Sequence, residues 1–415
     1  MTILKLALKN LLGAGLRTWL NVFVLSLSFV LIIFARGLID GMNRQAEQAM
    51  IASEIAGGHF QHPAYDPYDP LTLADAHGPV PAPLAALASS GKAAPVLVIQ
   101  GTIYPEGRLF TVRVNGIDPG QALLNIPTSF LAAPNAPNAP TDDASDAEIP
   151  VLIGTRMAKM TGLEKCDTFT LQWRDARGTF DAREAAVVEI FSTSVQTVDS
   201  GQIWVPLALL REMTGHSGEA TFVVIAQGTA APVLAAPASA RPSGTPADPG
   251  AWVFRGPDYF LSDLKAMVES KTAGSSILYA ILLLLAMLAI FDTQVLSIFH
   301  RRREMGTLMA LGFTRTKVIG LFTLEGMLNG VLAALVAAVY GIPLLAWIAR
   351  TGWALPGDTD SYGFALGERI FPAYGLGLVA GTTALVLLVT TVASFLPTRR
   401  IAKLKPTDAL RGRMS

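Results

Sequence analysis

The chain has 415 residues, of which 51% are hydrophobic and 15% are charged, and its formal net charge is zero. Soluble domains carry about 25% charged residues, so this composition excludes an ordinary soluble protein. The 26 prolines and 37 glycines are too many for a purely helical bundle, which leaves a mixed protein with several membrane spans and a sizeable water-exposed part. The single Cys166 excludes an internal disulfide and argues against a zinc or iron–sulfur site.

Four apolar runs are candidates for membrane spans, because crossing a bilayer takes about 20 mostly apolar residues. The first run, Thr18–Ala35, is longer than the apolar core of a cleaved signal peptide, which has about 7 to 15 residues. We interpret it as an uncleaved span, with a signal peptide as the alternative. The other three runs are Ala273–Phe299, Val318–Ile348 and Tyr374–Phe395.

Basic residues determine the predicted orientation. The segments 1–17, 300–317 and 397–415 hold nearly half of the 32 Lys and Arg residues, and their only acids are Glu304 and Asp408. Basic residues in short loops stay on the cytoplasmic side of a membrane. We therefore predict that both termini are cytoplasmic and that the long stretch between the first two spans lies on the outer side.

The predicted fold is an α-helical membrane protein with four transmembrane helices and a large mixed α/β domain between helices 1 and 2. The predicted segments are the cytoplasmic N-terminus with the first helix (1–42), the α/β domain (43–272), the second helix (273–299), a cytoplasmic elbow (300–317), the third helix (318–348), a short outer loop (349–372), the fourth helix (373–396) and a basic cytoplasmic tail (397–415).

The outer domain shows both strand and helix patterns. In Pro95–Gly116, two β-rich runs flank a Pro-Glu-Gly turn, and in the second run apolar and polar residues alternate, as in a half-buried strand. Two stretches rich in Ala and Pro, Ala132–Glu148 and Gly228–Gly250, bury too little apolar area to order themselves and are expected to be loops. Further predicted elements are a helix at Val151–Gly162, strands at Thr168–Trp173 and Ala185–Phe191, a helix at Pro206–Thr214 and a helix at Asp258–Lys271 that continues into the second span.

Catalytic motifs are missing from the sequence. It contains no Gly-x-x-x-x-Gly-Lys-Ser/Thr phosphate loop, no His-Glu-x-x-His and no Gly-x-Ser-x-Gly, so we expect no enzymatic activity on this chain. The five histidines are scattered. His59 and His62 are close in sequence, but further zinc ligands are not evident, and we expect no metal site.

Two acids interrupt the apolar runs. Asp292 precedes Arg301 by 9 residues and Glu325 follows Lys317 by 8 residues. At about 1.5 Å per helical residue, both lie roughly 12–14 Å from the cytoplasmic charges. Acids inside a membrane pair with each other or line a cavity. We expect either a polar contact between spans two and three that transmits motion of the elbow, or a plain packing contact.

The elbow and its surroundings resemble a known family. Arg301–Phe313 (RRREMGTLMALGF) and Leu321–Gly326 (LFTLEG) are similar to the signature of the FtsX-like ABC-transporter permeases of the MacB/LolC/LolE type. His300 departs from the pattern, where Glu is expected. Further similar stretches are Ala7–Leu11 with Arg17, Leu152–Gly154, Gly162–Leu163, Val198–Pro206, Pro397–Arg400 and Leu404–Arg411. Gly57–Pro67 and the layout look most like the lipoprotein-releasing LolC/LolE permeases.

This resemblance implies a function and partners. The outer domain would be a MacB-like periplasmic core, and the protein would sit in the bacterial inner membrane. It would work with a cytoplasmic ABC ATPase dimer, which would hold ATP and magnesium, so that no cofactor is needed on this chain. A second permease copy or a paralogue, membrane lipid, and a periplasmic chaperone or adaptor are further expected partners, whereas nucleic acid is not.

The expected activity is mechanotransmission: ATP-driven motion of the spans that extracts a lipoprotein or similar amphiphile from the outer leaflet. One alternative is MacB-like efflux of an antibiotic, toxin or peptide. Another is an FtsX-like transmembrane signal relay without transport.

The resemblance also assigns residues. It makes the elbow a coupling helix that docks on the ATPase, whereas composition alone favours a basic loop lying on lipid headgroups. The expected docking residues are Arg303, Glu304, Met305, Gly306, Leu308, Leu311, Gly312 and Arg315. The residues expected to line the route by which substrate enters are Phe23, Leu27, Val30 and Leu31 on the first span and Ile281, Leu285 and Leu288 on the second.

Overall fold

The computed structural model describes residues 15–132, 148–229, 252–262, 265–266, 307–309, 311–354 and 369–401, together with isolated positions between 281 and 295. Most of the predicted second span and most of both Ala/Pro-rich stretches lie outside the described residues, as do Leu285, Arg303, Glu304, Met305 and Gly306. The chain forms two compact units. The helical unit comprises Met1–Arg44, Met267–Leu355 and Arg369–Ser415, and the α/β unit comprises Gln45–Ala266 and Pro356–Glu368.

The elements of the two units are named in chain order. The helices are α1 (Gly15–Met50), α2 (Ala82–Ser89), α3 (Thr155–Thr161), α4 (Gln196–Gly201), α5 (Leu207–Thr214), α6 (Arg315–Thr351) and α7 (Leu376–Ile401). The strands are β1 (His59–Gln61), β2 (Gly78–Pro79), β3 (Ala93–Tyr104), β4 (Phe110–Ile117), β5 (Ile149–Gly154), β6 (Thr168–Arg174), β7 (Phe180–Phe191), β8 (Gln202–Pro206), β9 (Glu219–Ala220), β10 (Phe222–Ile225), β11 (Val253–Arg255), β12 (Trp353–Ala354) and β13 (Arg369–Ile370).

Three helices of the described part are long and apolar enough to cross a membrane: Val22–Ile55, Arg315–Thr351 and Leu376–Arg399. They coincide with the first, third and fourth predicted spans. Their bounds differ from the predicted ones: α6 begins at Arg315 rather than at 318, and it runs through Pro343 to its end at Thr351. The predicted count of four spans stays a prediction, because the second run is described only at isolated helical positions.

Small residues let the long helices of the helical unit approach each other. On α6, a Cβ placed on Gly330 would lie only 2.8 Å from the hydroxyl oxygen of Thr390 in α7. Further along α6, a Cβ on Gly341 would lie 2.7 Å from Cγ2 of Val30 in α1. Close backbone approach at small residues is the usual way in which helices pack when lipid surrounds them. α6 is therefore in tight contact with α7 at one level and with α1 at another.

Polar contacts supplement this packing. The hydroxyl groups of Ser26 in α1 and Tyr340 in α6 lie 3.2 Å apart. Ahead of α7, the main-chain nitrogen of Ala373 donates to the oxygen of Gly37 at 2.8 Å. A side chain at Gly37 would collide with the ring of Tyr374, so this crossing also requires a glycine.

The α/β unit is built around a closed ring of six strands. The order of pairing is β3-β4-β8-β5-β7-β6, and β6 pairs back onto β3. The β4–β8 and β5–β7 pairs are parallel, whereas the other pairs of the ring are antiparallel. A buried cluster fills the ring and extends under α3 and α5, with Leu97, Val114, Ile153, Trp173 and Ile203 among its members.

Three further strands extend from the ring. β10 pairs with Ala93–Val96 of β3, β1 pairs with β10, and β11 pairs with β1. β6 pairs with Gly101–Tyr104, at the other end of β3. β4 pairs along one edge of β3, over Leu97–Ile103, so β10 and β6 both pair along the other edge. β10 and β6 separate from each other between Val96 and Gly101 of β3. We call this divergence the β3 fork.

Most predicted elements of this unit are confirmed, with one correction. The two strands around the Pro-Glu-Gly turn are β3 and β4. The predicted helix at Val151–Gly162 is wrong in its first half, where Ile149–Gly154 forms β5 and only Thr155–Thr161 is helical. β5 lies inside the ring between β7 and β8, so it is buried on both faces and shows no alternation.

The end of α1 is fixed within the α/β unit. Five residues of π-helix, Ile51–Ile55, follow α1, and the chain then turns at Ala56, which has a positive φ of 48°. The main-chain oxygen of Ala52 accepts a hydrogen bond from the nitrogen of Asn125 at 2.7 Å. His59 Nε2 donates to the oxygen of Glu54 at 2.7 Å. Single π-helical turns inside or after α-helices are often functional positions, because they change the direction of the side chains that follow.

Candidate functional site

The elbow is a helical turn with a defined end. Residues 307–309 are helical, Gly312 has a φ of 92°, and α6 begins three residues later at Arg315. The nitrogen of Phe313 donates to the oxygen of Leu308 at 3.0 Å, and the nitrogen of Gly312 donates to the oxygen of Met309 at 3.1 Å. These two bonds, with a left-handed glycine, form a Schellman motif. Gly312 therefore ends the turn.

The apolar residues of the elbow face two ways. Leu308 and Met309 are half-buried against Val318 and Phe322 of α6. Leu311, in contrast, is 74% exposed. Leu308 thus packs partly within this chain, and its assignment to the docking face stays a prediction.

The polar part of the elbow is described only in part. Arg315 is exposed at the first turn of α6, and the hydroxyl groups of Thr314 and Thr316 lie 3.2 Å apart. The assignments to Arg303, Glu304, Met305 and Gly306 fall outside the described residues and stay predictions. The elbow thus presents Leu311, Phe313 and Arg315 on its described surface.

A groove between α6 and α7 lies next to this turn. Its volume is about 560 Å³. It is lined by Thr316, Ile319, Gly320, Thr323, Leu324, Met327, Thr391, Phe395 and Arg399. The lining is mainly apolar, and Arg399 is its only charged residue among those described.

The two predicted intramembrane acids occupy different environments. Glu325 is 9% exposed, on the face of α6 that packs within the helical unit. Asp292 is helical and exposed within this chain. A polar contact between the two spans is consequently still a prediction, and the structure provides a buried position for Glu325 alone.

The residues predicted to line the substrate route separate into two groups. Phe23, Leu27 and Leu31 recur every fourth residue of α1 and are 56%, 53% and 56% exposed. Ile281 and Leu288 are 49% and 58% exposed and helical.

Val30 does not belong to this apolar strip. It is 7% exposed and packs where Gly341 lets α6 approach, so its assignment to the lining is wrong.

Two stretches of the α/β unit that resemble the permease family lie in contact. Gly154, at the end of β5, stands so close to Asp199 in α4 that a Cβ would collide with its main chain. Arg156 Nη1 donates to Asp199 Oδ2 at 3.1 Å, and the Asp199 side chain is 3% exposed. Burial raises the pKa of Asp199, and hydrogen bonds and charge from Arg156 oppose that rise. The pair holds α3 and α4 together below the ring.

The fold is that of a membrane protein with a separate α/β unit. Three long apolar helices, a capped turn in front of α6 and a separate α/β unit are the features of a membrane protein with a domain outside the bilayer. Residues 276–406 match the FtsX-like permease C-terminal family. Over these residues the chain carries an FtsX-like permease domain.

Named relatives agree with this class. The chain is 31% identical over 134 residues to an uncharacterized ABC transporter permease of Methanocaldococcus jannaschii, covering 32% of this chain and 31% of the relative. It is 26% identical over 160 residues to a pyoverdine export ATP-binding/permease protein of Pseudomonas syringae pv. syringae, covering 37% of this chain and 22% of that relative. The chain thus spans less than a third of the length of each of these relatives.

A solved structure was also found, the extracellular domain of the ABC-type transporter YknZ from Gram-positive bacteria. It covers 42% of this chain and 84% of that domain at 13% identity. With a TM-score of 0.25, this likeness carries no argument.

Proposed function

We propose that this chain is the permease subunit of an ABC transporter and that ATP hydrolysis takes place on a separate ATPase dimer, which binds ATP and magnesium. The observation that carries the proposal is the capped elbow turn inside the part of the chain that matches the permease family. The Schellman motif fixes the direction in which Leu311 points. An exposed apolar side chain beside basic residues suits a groove on a cytoplasmic partner.

The architecture supports transmission of force from such a partner. The elbow leads directly into α6, and α6 is in close contact with α7 at Gly330 and with α1 at Gly341. Closely packed helices move together, since their contacts are not freely deformable. α1 in turn continues as one helix to Met50 and is followed by the π-helix in the α/β unit. We expect displacement of the elbow to reach α7 and α1 through these packed helix contacts.

We infer that the cargo is a lipoprotein or similar amphiphile, released from the outer leaflet of the inner membrane toward a periplasmic chaperone or adaptor. The apolar strip of Phe23, Leu27 and Leu31 supports this cargo, because it offers acyl chains a continuous surface along one helix. A second permease, identical or paralogous, would supply the facing half of the route.

A second candidate function is export of a secreted small amphiphile or peptide. The observation that favours it is the similarity to relatives named as pyoverdine export proteins. Both functions use the same helices and differ in the substrate that the outer surface accepts.

The coupling step is tested by co-purifying the full-length chain in detergent with candidate ATPases from the same genome. Leu311→Asp is the informative variant, because Leu311 is 74% exposed. Burying one leucine contributes about 1.5–3 kcal/mol, so its loss weakens ATPase binding about 10- to 100-fold.

The matched control is Leu109→Asp, which places the same charge on a leucine that is 63% exposed just before β4 in the α/β unit. We expect this variant to bind the ATPase as well as the wild type does. Equal binding by Leu311→Asp and the wild type, with the ATPase retained, would refute the elbow as the docking site. Absence of any bound ATPase would refute the permease proposal itself.

The cargo is tested separately, in cells depleted of the protein. Retention of outer-membrane lipoproteins in the inner membrane, with normal siderophore export, supports release of lipoproteins. Normal lipoprotein sorting together with loss of siderophore or peptide export would refute that cargo and support the efflux candidate.

A further inference from the structure

Three potential metal ligands converge in the α/β unit, far apart in the sequence. His77 immediately precedes β2, His216 follows α5, and Glu219 is the first residue of β9. β2 and β9 pair antiparallel, with Pro79 opposite Glu219. One ligand atom from each of the three side chains lies within 4.8 Å of the other two. The pairing of two very short strands therefore creates a cluster of two imidazoles and a carboxylate.

The distances suit a small divalent ion. His77 Nδ1 lies 2.7 Å from Glu219 Oε2, and His216 Nδ1 lies 3.1 Å from the same oxygen. Tetrahedral zinc has nitrogen and oxygen ligands at about 2.0–2.2 Å, which places the ligand atoms roughly 3.4 Å apart. Glu219 Oε2 must therefore move away from His77 Nδ1 by about 0.7 Å and from His216 Nδ1 by about 0.3 Å to place an ion between the three atoms.

Neighbouring groups already orient the ligands. His77 Nε2 donates to the main-chain oxygen of Ala74 at 3.0 Å, which directs Nδ1 toward the cluster. Metal-binding histidines usually donate their second ring nitrogen to a carbonyl or carboxylate in this way. Arg211 donates two hydrogen bonds to the main-chain oxygen of Glu219, at 2.9 and 2.7 Å, and so holds this residue while its carboxylate faces the rings. The His216 side chain is 9% exposed, which protects the cluster from water on one side.

The other side of the cluster opens onto the β3 fork. A groove of about 610 Å³ lies there, and His77 and His216 form part of its wall. Gln100 and Thr102 of β3 and Arg174 of β6 also line it. Three protein ligands with an open fourth position are the arrangement of zinc sites that bind water or a further ligand.

We propose that His77, His216 and Glu219 bind one divalent transition-metal ion of the zinc type, with the fourth coordination position facing the groove at the β3 fork. The ion would join β2, β9 and the residue that follows the end of α5. This inference does not depend on the transport function proposed above.

The test uses full-length protein in detergent, purified through a tag without histidine and treated with a chelator. We expect one equivalent of Zn²⁺ to bind per chain in calorimetry, with the metal content confirmed by elemental analysis. Co²⁺ in place of Zn²⁺ should give the absorption bands of a tetrahedral site. His77→Gln and Glu219→Gln should each weaken Zn²⁺ binding at least a hundredfold.

Matched controls are His300→Gln, which removes a histidine distant in the sequence, and Glu212→Gln, which removes a glutamate that is not part of the cluster; both should bind Zn²⁺ as the wild type does. Thermal unfolding without metal shows whether Glu219→Gln is still folded, and added Zn²⁺ should raise the unfolding temperature of the wild type but not of that variant. Substoichiometric binding to the wild type, or equal binding by the wild type and Glu219→Gln, would overturn the proposal.

Discussion

The contact between Gly341 of α6 and Val30 of α1 gives a quantitative prediction. In Gly341→Ala the new Cβ stands 2.7 Å from Val30 Cγ2, whereas carbon atoms in contact are normally about 3.5–4.0 Å apart. Val30 has little freedom to move away, because a β-branched side chain on a helix is confined to one rotamer. The helices must separate by roughly 1 Å, and overpacking of this kind costs about 1–3 kcal/mol.

Gly320→Ala isolates that packing cost. Gly320 lies on the same helix, and no atom of the described residues comes within 4 Å of where its Cβ would stand. Both substitutions gain the same helix propensity of about 1 kcal/mol, so the difference between them reports packing alone. We expect Gly320→Ala to be as stable as the wild type or slightly more stable, and Gly341→Ala to be less stable than Gly320→Ala by about 1–3 kcal/mol.

Thermal unfolding of the full-length protein in detergent is the assay. For a unit of this size, 1 kcal/mol corresponds to about 2–4 °C, so the two variants should differ by roughly 2–12 °C. In a double-mutant cycle, Val30→Ala should be less harmful in the Gly341→Ala background than in the wild type, with a coupling of about 0.5–3 kcal/mol. If Gly341→Ala unfolds at or above the temperature of Gly320→Ala, the close helix contact is refuted.

Three further predictions concern the α/β unit. Burial lowers the pKa of His59 to about 4 from an ordinary 6.5. Between these pH values the unfolded chain binds a proton on this side chain and the folded chain does not. The free energy of unfolding should therefore fall by about 3 kcal/mol between pH 6.5 and 4. Stability is complete above pH 6.5, and His59→Phe should reduce this acid sensitivity in pH-dependent melting. An unchanged pH profile would contradict the assignment. Cys166 is exposed, so a charged maleimide should label it in spheroplasts without permeabilisation, whereas labelling only after permeabilisation would contradict an outer location. Gly154→Ala should lower the unfolding temperature, since its Cβ would collide with the main chain of Asp199. Gly201→Ala should not lower it, because no described atom lies within 4 Å of where its Cβ would stand. Equal unfolding temperatures of the two variants would refute the collision.

The sequence predicts elements well where one physical requirement dominates. Apolar runs long enough for a bilayer have few other uses, and α1, α6 and α7 follow them. β4 alternates as predicted over its first residues, from Phe110 to Val114, because only one face of the strand is buried there. Val151–Gly154 of β5 falls within the predicted helix, because these residues are all buried and short apolar runs carry no period that separates strand from helix.

The candidate sites are harder to predict, because they depend on contacts between distant elements. The elbow pattern identifies an apolar side, but only the fold reveals that Val318 and Phe322 cover Leu308 and leave Leu311 exposed. The cluster at Glu219 depends on strands of two residues each, which are too short to leave any periodic signal. For such sites the sequence supplies residue types without their partners.

The pairing of β1 with β11 has a mechanical consequence. β1 receives the chain that comes from α1, and β11 passes it toward 257–262, so both connections enter the sheet at the same end of one ladder, where His59 stands opposite Arg255. A pull that spreads the two connections sideways breaks one backbone pair at a time, as in unzipping. A pull on both connections along the strands instead loads all three residue pairs between β1 and β10 at once. β1 and β11 therefore separate at low force when their connections are pulled apart, and they resist a pull along the strands. The direction of the pull determines whether this edge of the sheet opens or moves as one piece.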